Sequence, residues 1–379
     1  MPLSASSSPE ESPLIDAAVS QLAGMLPERW NATRSHRLAA AAGGVAEPRT
    51  LDAAIDVQIE SGSFVTLVVE ARQELAPRDV DQLFSGLAGT LRALASHLPV
   101  LVVAPWLSPR TQERLRHEDV NYLDLTGNAL IKLDNPALFI RSVGATRNPQ
   151  PSPARGRAGL RGPKAGRLVR LLADVRPPYA LQEIAASTRL TPGYVSRLLD
   201  ALDREALIER DSRGPVRSVD VPALLRRWAE TYDVLRANSA TAFVAPHGPA
   251  DAVERLVGLT NAGRIAVTGS FAAVRRAPVA APALLMAYCE EVQRVADALG
   301  LLPAAGGGNV ALLSPFDPVA WDRAQLELGI PYVAVSQAAV DCLTGNGRMP
   351  AEGEALLDWM ARDESAWRRG ALDAMPGRA

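Results

Sequence analysis

At 379 residues the chain exceeds the usual size of one hydrophobic core, so two or three domains are expected. Its 47% hydrophobic and 22% charged residues are ordinary for a globular protein and exclude a low-complexity or disordered chain. The formal net charge of −2 means that any affinity for nucleic acid has to come from local charge rather than from the overall field. Cys289 and Cys342 lie far apart without metal-ligand spacing, which points to reduced thiols in a cytoplasmic protein. The Ser/Pro-rich start has no basic stretch leading into an apolar one, so no secretory signal is expected. No run of about 18 apolar residues predicts a membrane span.

Residues 1–12 have the composition of a disordered terminus. A helix is predicted over 14–26, then two strands, 55–59 and 64–70, joined by Ser61-Gly62-Ser63. Val80, Leu83, Phe84, Leu87 and Leu91 fall on one face of a helix over 79–97. The apolar run 100–104 suits a strand buried on both sides. A helix over 109–117 and strands near 130–133 and 138–142 complete an α/β domain spanning 13–144. The segment 121–128, Asn-Tyr-Leu-Asp-Leu-Thr-Gly-Asn, places Asp124 and Asn128 around a Thr-Gly bend and reads as a structural turn.

Residues 145–163 are rich in Pro and Gly and read as a linker. They carry Arg147, Arg155, Arg157 and Arg161, with Lys164 just beyond and no acid among them. Such a segment is either a solvated tether or a phosphate-contacting arm.

Residues 164–222 form a middle domain. A helix over 166–175 turns Leu168, Leu171, Leu172 and Val175 to one side and Arg167 and Arg170 to the other, and Pro177-Pro178 stops it. A short helix over 181–187 follows, then a turn at 188–190. Thr191 is placed as an N-cap and Pro192 at the first position of a third helix reaching Arg204. Val195, Leu198, Leu199 and Leu202 form its apolar stripe, leaving Gly193, Tyr194, Ser196, Arg197 and Asp200 outward. Strands over 206–210 and 216–219 flank a turn, with Arg210, Arg213 and Arg217 on the hairpin. The stretch from Leu181 to Leu202, with its turn, cap and following hairpin, resembles the winged helix-turn-helix of bacterial transcription regulators. That resemblance implies double-stranded DNA as partner, with the third helix in the major groove. It makes Thr191, Gly193, Tyr194, Ser196 and Arg197 base or phosphate contacts, supported by Arg210, Arg213, Arg217, Lys164 and Arg167. Two half-sites, and hence a homodimer, are the common arrangement in such regulators.

The strand bearing Asp56, the strand ending Val68-Val69-Glu70-Ala71-Arg72 and the long helix after it resemble the restriction-endonuclease-like superfamily. Active members use an acidic pair for Mg²⁺ and a Lys. Asp56 and Glu70 match the acids, but Arg72 stands in the place of the Lys. Arg stays protonated and cannot act as a base, so an inactive fold is expected, with Mg²⁺-dependent cleavage as the alternative.

Residues 223–379 read as a third, α/β domain opened by a helix over 221–235. The Gly269-Ser270 turn after a strand also occurs in nucleotidyltransferases, but residues 278–288 supply no acid for the metals such enzymes use. Gly306-Gly307-Gly308 precedes a strand without the Lys of a phosphate-binding loop. The arrangement behind the middle domain loosely resembles antitoxins of type IV abortive-infection systems, which implies autorepression and a protein partner; a small-molecule effector is the other option for this domain. His36, His97, His117 and His247 are scattered and form no metal or catalytic cluster. No cofactor is expected.

Overall fold

The computed structural model describes residues 11–35, 53–59, 62–80, 83, 98–146, 148–149, 159–210, 214–259, 263–370 and 372. It is a mixed α/β structure, and the chain divides into two compact units, Met1–Gly156 and Arg157–Ala379.

In the first unit α1 (Glu11–Met25) precedes β1 (Trp30–Arg34), β2 (Ala53–Ile59), β3 (Phe64–Ala71) and β4 (Val100–Ala104). Then come α2 (Pro109–His117), β5 (Asn121–Asp124), β6 (Ala129–Asp134) and β7 (Ala137–Ser142). The seven strands lie in sequence order in one sheet. The β1–β2–β3 and β5–β6–β7 neighbours are antiparallel, and β3–β4–β5 are parallel. Strand alternation separates two cores. Ile55, Leu67, Val69, Leu101, Val103 and Ile131 meet Ile15, Ala18 and Leu22 of α1 on one face. Val102, Tyr122 and Leu130 meet Val80 and Leu115 on the other. β1 was not legible as a strand. The helix expected over 79–97 lies for the most part outside the described residues.

The bend after β5 is a polar lock. The fully buried Asp124 carboxylate accepts from the Leu107, Thr126 and Asn128 amides at 2.9, 2.9 and 3.1 Å, from the Thr126 hydroxyl at 2.7 Å and from Asn128 Nδ2 at 2.8 Å. Asn128 in turn accepts from the Gly144 amide at 2.8 Å and donates to the Ala145 carbonyl at 3.1 Å. A Cβ on Gly144 would collide with the Thr126 carbonyl oxygen, so this crossing needs glycine. The turn reading of 121–128 thereby acquires its physical reason.

In the second unit α3 (Gly162–Asp174), α4 (Leu181–Thr188) and α5 (Pro192–Arg204) lead into the hairpin β8 (Ile208–Arg210) and β9 (Val216–Val219). Next come α6 (Val221–Ala229), α7 (Val234–Ala237), β10 (Ser239–Val244), α8 (Pro249–Glu254), β11 (Ile265–Thr268), α9 (Ser270–Ala273) and β12 (Leu285–Cys289). The chain continues through α10 (Val292–Leu299), β13 (Leu302–Pro303), β14 (Val310–Ser314), β15 (Gln325–Glu327), β16 (Ile330–Tyr332), α11 (Val335–Leu343) and α12 (Met349–Arg362). The sheet order is β13-β10-β14-β12-β11-β16-β15, with β12–β14 and β11–β16 parallel. The helix expected over 221–235 breaks after Ala229, and Asp233 starts a new one by accepting from the Leu235 and Arg236 amides at 3.0 Å.

Residues 164–222 and 223–379, read from sequence as separate domains, share one continuous core running from Leu160 to Leu372. The polar side of α3 is the joint. A Cβ on Gly166 would sit 3.1 Å from the Phe316 ring and 3.3 Å from that of Trp228. Arg170, expected on an outward face, is wholly buried. Among the described residues no helix is long and apolar enough to cross a membrane, and no group of His, Cys, Asp and Glu could hold a metal ion.

Candidate nucleic-acid interface

α4 and α5 are joined by a tight turn. Arg189 takes a left-handed conformation (φ 55°) that ends α4, and Leu190 is buried beneath it. Thr191 occupies the N-cap position but its side chain makes no capping hydrogen bond; Pro192 opens α5. Val195, Leu198, Leu199 and Leu202 are buried as their spacing requires. Thr191, Gly193, Arg197 and Asp200 are exposed, and Tyr194 and Ser196 half-buried. Burial raises the pKa of the Tyr194 phenol, with the Arg197 charge pulling the other way, so the two side chains feel each other. The exposed N-terminal half of α5 is thus a short surface of hydroxyls, one guanidinium and a glycine with open space above it.

The hairpin packs beside it. Tyr179, before α4, exchanges backbone hydrogen bonds with Val216 at 3.3 and 3.1 Å and so extends the hairpin. The β8–β9 pairing skips Arg217: Glu209 faces Ser218, while Arg210 faces Val216. This bulge reverses the alternation, sending Val216 into the core and Arg217 outward. Lys164 is exposed in the first turn of α3. Arg213 lies outside the described residues.

Two of the expected contacts carry ion pairs within the protein. Arg167 forks onto Asp317, with Nε at 3.1 Å from both carboxylate oxygens and Nη2 at 2.7 Å from Oδ2. The Arg210 side chain is 5% exposed and pairs with Asp200 of α5, with Nε 3.7 Å from Asp203. Both were read as outward cations because their helix or strand positions look polar; each instead meets a carboxylate from a neighbouring element. The exposed Arg189 was read only as part of the turn; its place between the two helices was the available signal.

In the first unit the β2–β3 register sets Asp56 opposite Thr66, whose hydroxyl donates to it at 2.6 Å. Glu70 lies four residues further along β3, about 13 Å at strand rise. The two carboxylates are therefore not brought together. Glu70 is buried and ion-paired with Arg72.

The second unit holds a buried polar cluster that the sequence did not announce. Asp341 accepts from Tyr232 at 2.8 Å, Gln337 at 2.8 Å, Thr268 at 2.6 Å and Tyr288 at 3.0 Å. Burial pushes its carboxyl up to about 6 against these four donors. Gln337 also accepts from Arg170 at 2.7 Å, which carries the network into α3. The Gly269-Ser270 turn is occupied internally, Ser270 donating to the buried Glu352. Gly308 belongs to a close crossing, since a Cβ there would strike the Phe243 carbonyl oxygen. His117 and His247 join no cluster of metal-ligating groups; His36 and His97 lie outside the described residues.

No protein-family model, curated protein or solved structure matches this chain.

Proposed function

We propose that this chain is a sequence-specific double-stranded DNA-binding transcription regulator and that residues 164–222 are its winged helix-turn-helix. The observation carrying this reading is the outward N-terminal half of α5, with Thr191, Gly193, Tyr194, Ser196 and Arg197 standing beside a hairpin whose bulge turns Arg217 out. A helix presenting such a face fits the major groove, where an Arg can bond bidentately to guanine. Arg217, Lys164 and Arg189 supply charge for phosphates. Two copies on two half-sites complete the proposal. The first unit is proposed as a non-cleaving, restriction-endonuclease-like domain, a reading supported by the separation of Asp56 from Glu70 and by the Arg72 ion pair.

The test is binding of the full chain to genomic fragments, its own upstream region included, across salt concentration and with or without Mg²⁺. A fragment that is retarded uncut, outcompetes bulk DNA and loses affinity as salt rises supports the reading. Cleavage in Mg²⁺ moves the function to the first unit, and absence of binding sinks the regulator reading. Light scattering with and without DNA checks the dimer.

A further inference from the structure

We infer that Arg210 is a positioning residue that clamps the wing to the recognition helix, setting affinity for DNA without touching it. The inference rests on the DNA-binding reading above. Arg210 ends β8 and its side chain is 5% exposed, so its guanidinium does not reach the surface where a phosphate would lie. It meets Asp200 and approaches Asp203, both on α5. Asp200 stands three residues after Arg197, on the same side of the helix. The clamp therefore joins the strand next to Arg217 to the turn of α5 that follows Arg197.

The bulge makes the division of labour possible. Regular alternation across β8 and β9 would give Arg217 the inward direction, and skipping it in the register sends Arg217 out while Arg210 keeps the inward place against α5. Arg217 is exposed, and Arg210 fixes the angle at which the strand presents it. A reader that must fit a groove and a phosphate row together loses affinity when its two contact elements swing independently.

The test uses the full chain and a labelled duplex that it selects from a random-sequence pool. Binding is measured across salt for wild type, Arg210→Ala, Arg210→Lys, Asp200→Asn and the Arg210→Ala/Asp200→Asn double variant, each checked as folded by thermal melting. The expected result is a roughly tenfold loss for Arg210→Ala with an unchanged slope of log affinity on log salt, since no phosphate contact is removed. Arg210→Lys recovers part of the loss. Asp200→Asn also weakens binding, although it deletes a negative charge from the DNA-facing helix, and the double variant is no worse than the worse single one. A slope shallower by about 0.9 in Arg210→Ala would mean a direct phosphate contact and overturn the inference. Tighter binding by Asp200→Asn would overturn it too, as a purely electrostatic effect, and so would wild-type affinity in Arg210→Ala. If wild type selects no duplex, the DNA-binding reading itself falls, and this inference with it.

Discussion

α3 and α5 are two helices of one small bundle, each of 13 residues, each with a proline in its first turn and each carrying leucines on one side and arginines on the other. Their fates differ. In α5 the polar side keeps Gly193, Arg197 and Asp200 in solvent. In α3 the polar side is covered by residues from 316–341, which bury Arg170 wholly and tie the half-exposed Arg167 to Asp317. Arg170 is satisfied in the interior: Nε lies 3.1 Å and Nη2 3.0 Å from Asp174, while the Val319 carbonyl, Gln337 and the Asp322 carbonyl take further N–H groups at 3.1, 2.7 and 2.8 Å. Asp174 is shared with Arg323 at 3.0 Å and with Ser336. A buried guanidinium is tolerable only when its donors are met in this way. A polar helix face is thus not by itself a binding face.

The sharpest way to break this comparison is Arg170→Ala. It leaves Gln337 and two backbone carbonyls without their donor and deprives Asp174 of part of its charge balance. A loss of about 3–5 kcal/mol is expected in urea denaturation of the full chain. A change within about 0.5 kcal/mol, the usual size for surface positions, would mean that α3 is no joint.

The network beyond Gln337 gives a pH signature. Asp341 is raised from its ordinary 3.8 to about 6 by burial, so between those values the folded state holds a proton that the unfolded chain has released. Stability contributed by this group is therefore greatest at low pH and falls as pH rises through that window, by on the order of 3 kcal/mol. Tyr232, Tyr288 and Cys342 around it are pushed well above their ordinary values by burial and stay protonated; Asp174, Asp317 and Glu352 are other buried acids of the second unit, and Arg170 reaches the cluster through Gln337. Asp341→Asn should flatten the difference in denaturation free energy between about pH 4 and 7. Superimposable profiles for the two proteins would show that the carboxyl titrates elsewhere.

On α5 the expected effect is on binding, not folding. Arg197→Ala should lower affinity for a selected duplex by about 1–3 kcal/mol, with stability unchanged within about 0.5 kcal/mol. Wild-type affinity would reject the assigned docking face. The smallest effect belongs to Arg167→Ala. Its half-exposed fork onto Asp317 is expected to contribute about 1 kcal/mol to stability, and DNA affinity should stay as in wild type. Weaker binding in a folded Arg167→Ala protein would return that residue to the interface.

Much of this was legible along the chain. The leucine spacing of 195, 198, 199 and 202 announced α5, Pro192 marked its start, and the strand at 216–219 was placed to the residue. These are local quantities, because helical and extended backbones impose their own periods on whatever apolar side chains they bury. The same logic could not separate Arg197 from Arg170 or Arg217 from Arg210, since all four sit at positions that look polar. Nor could it show that Tyr232, Tyr288 and Thr268 converge from three separate segments on the buried Asp341 carboxylate.

The sequence by itself determined the α/β class, the three helices followed by a hairpin, and the stripe each helix turns to the core. Only the tertiary structure decided which polar faces stay in water, because that depends on which distant segment supplies the matching carboxylates and carbonyls. Asp317 and Asp322 arrive some 150 residues after α3 and claim its arginines. No comparable segment reaches the first turns of α5 among the described residues, so Arg197 remains at the surface.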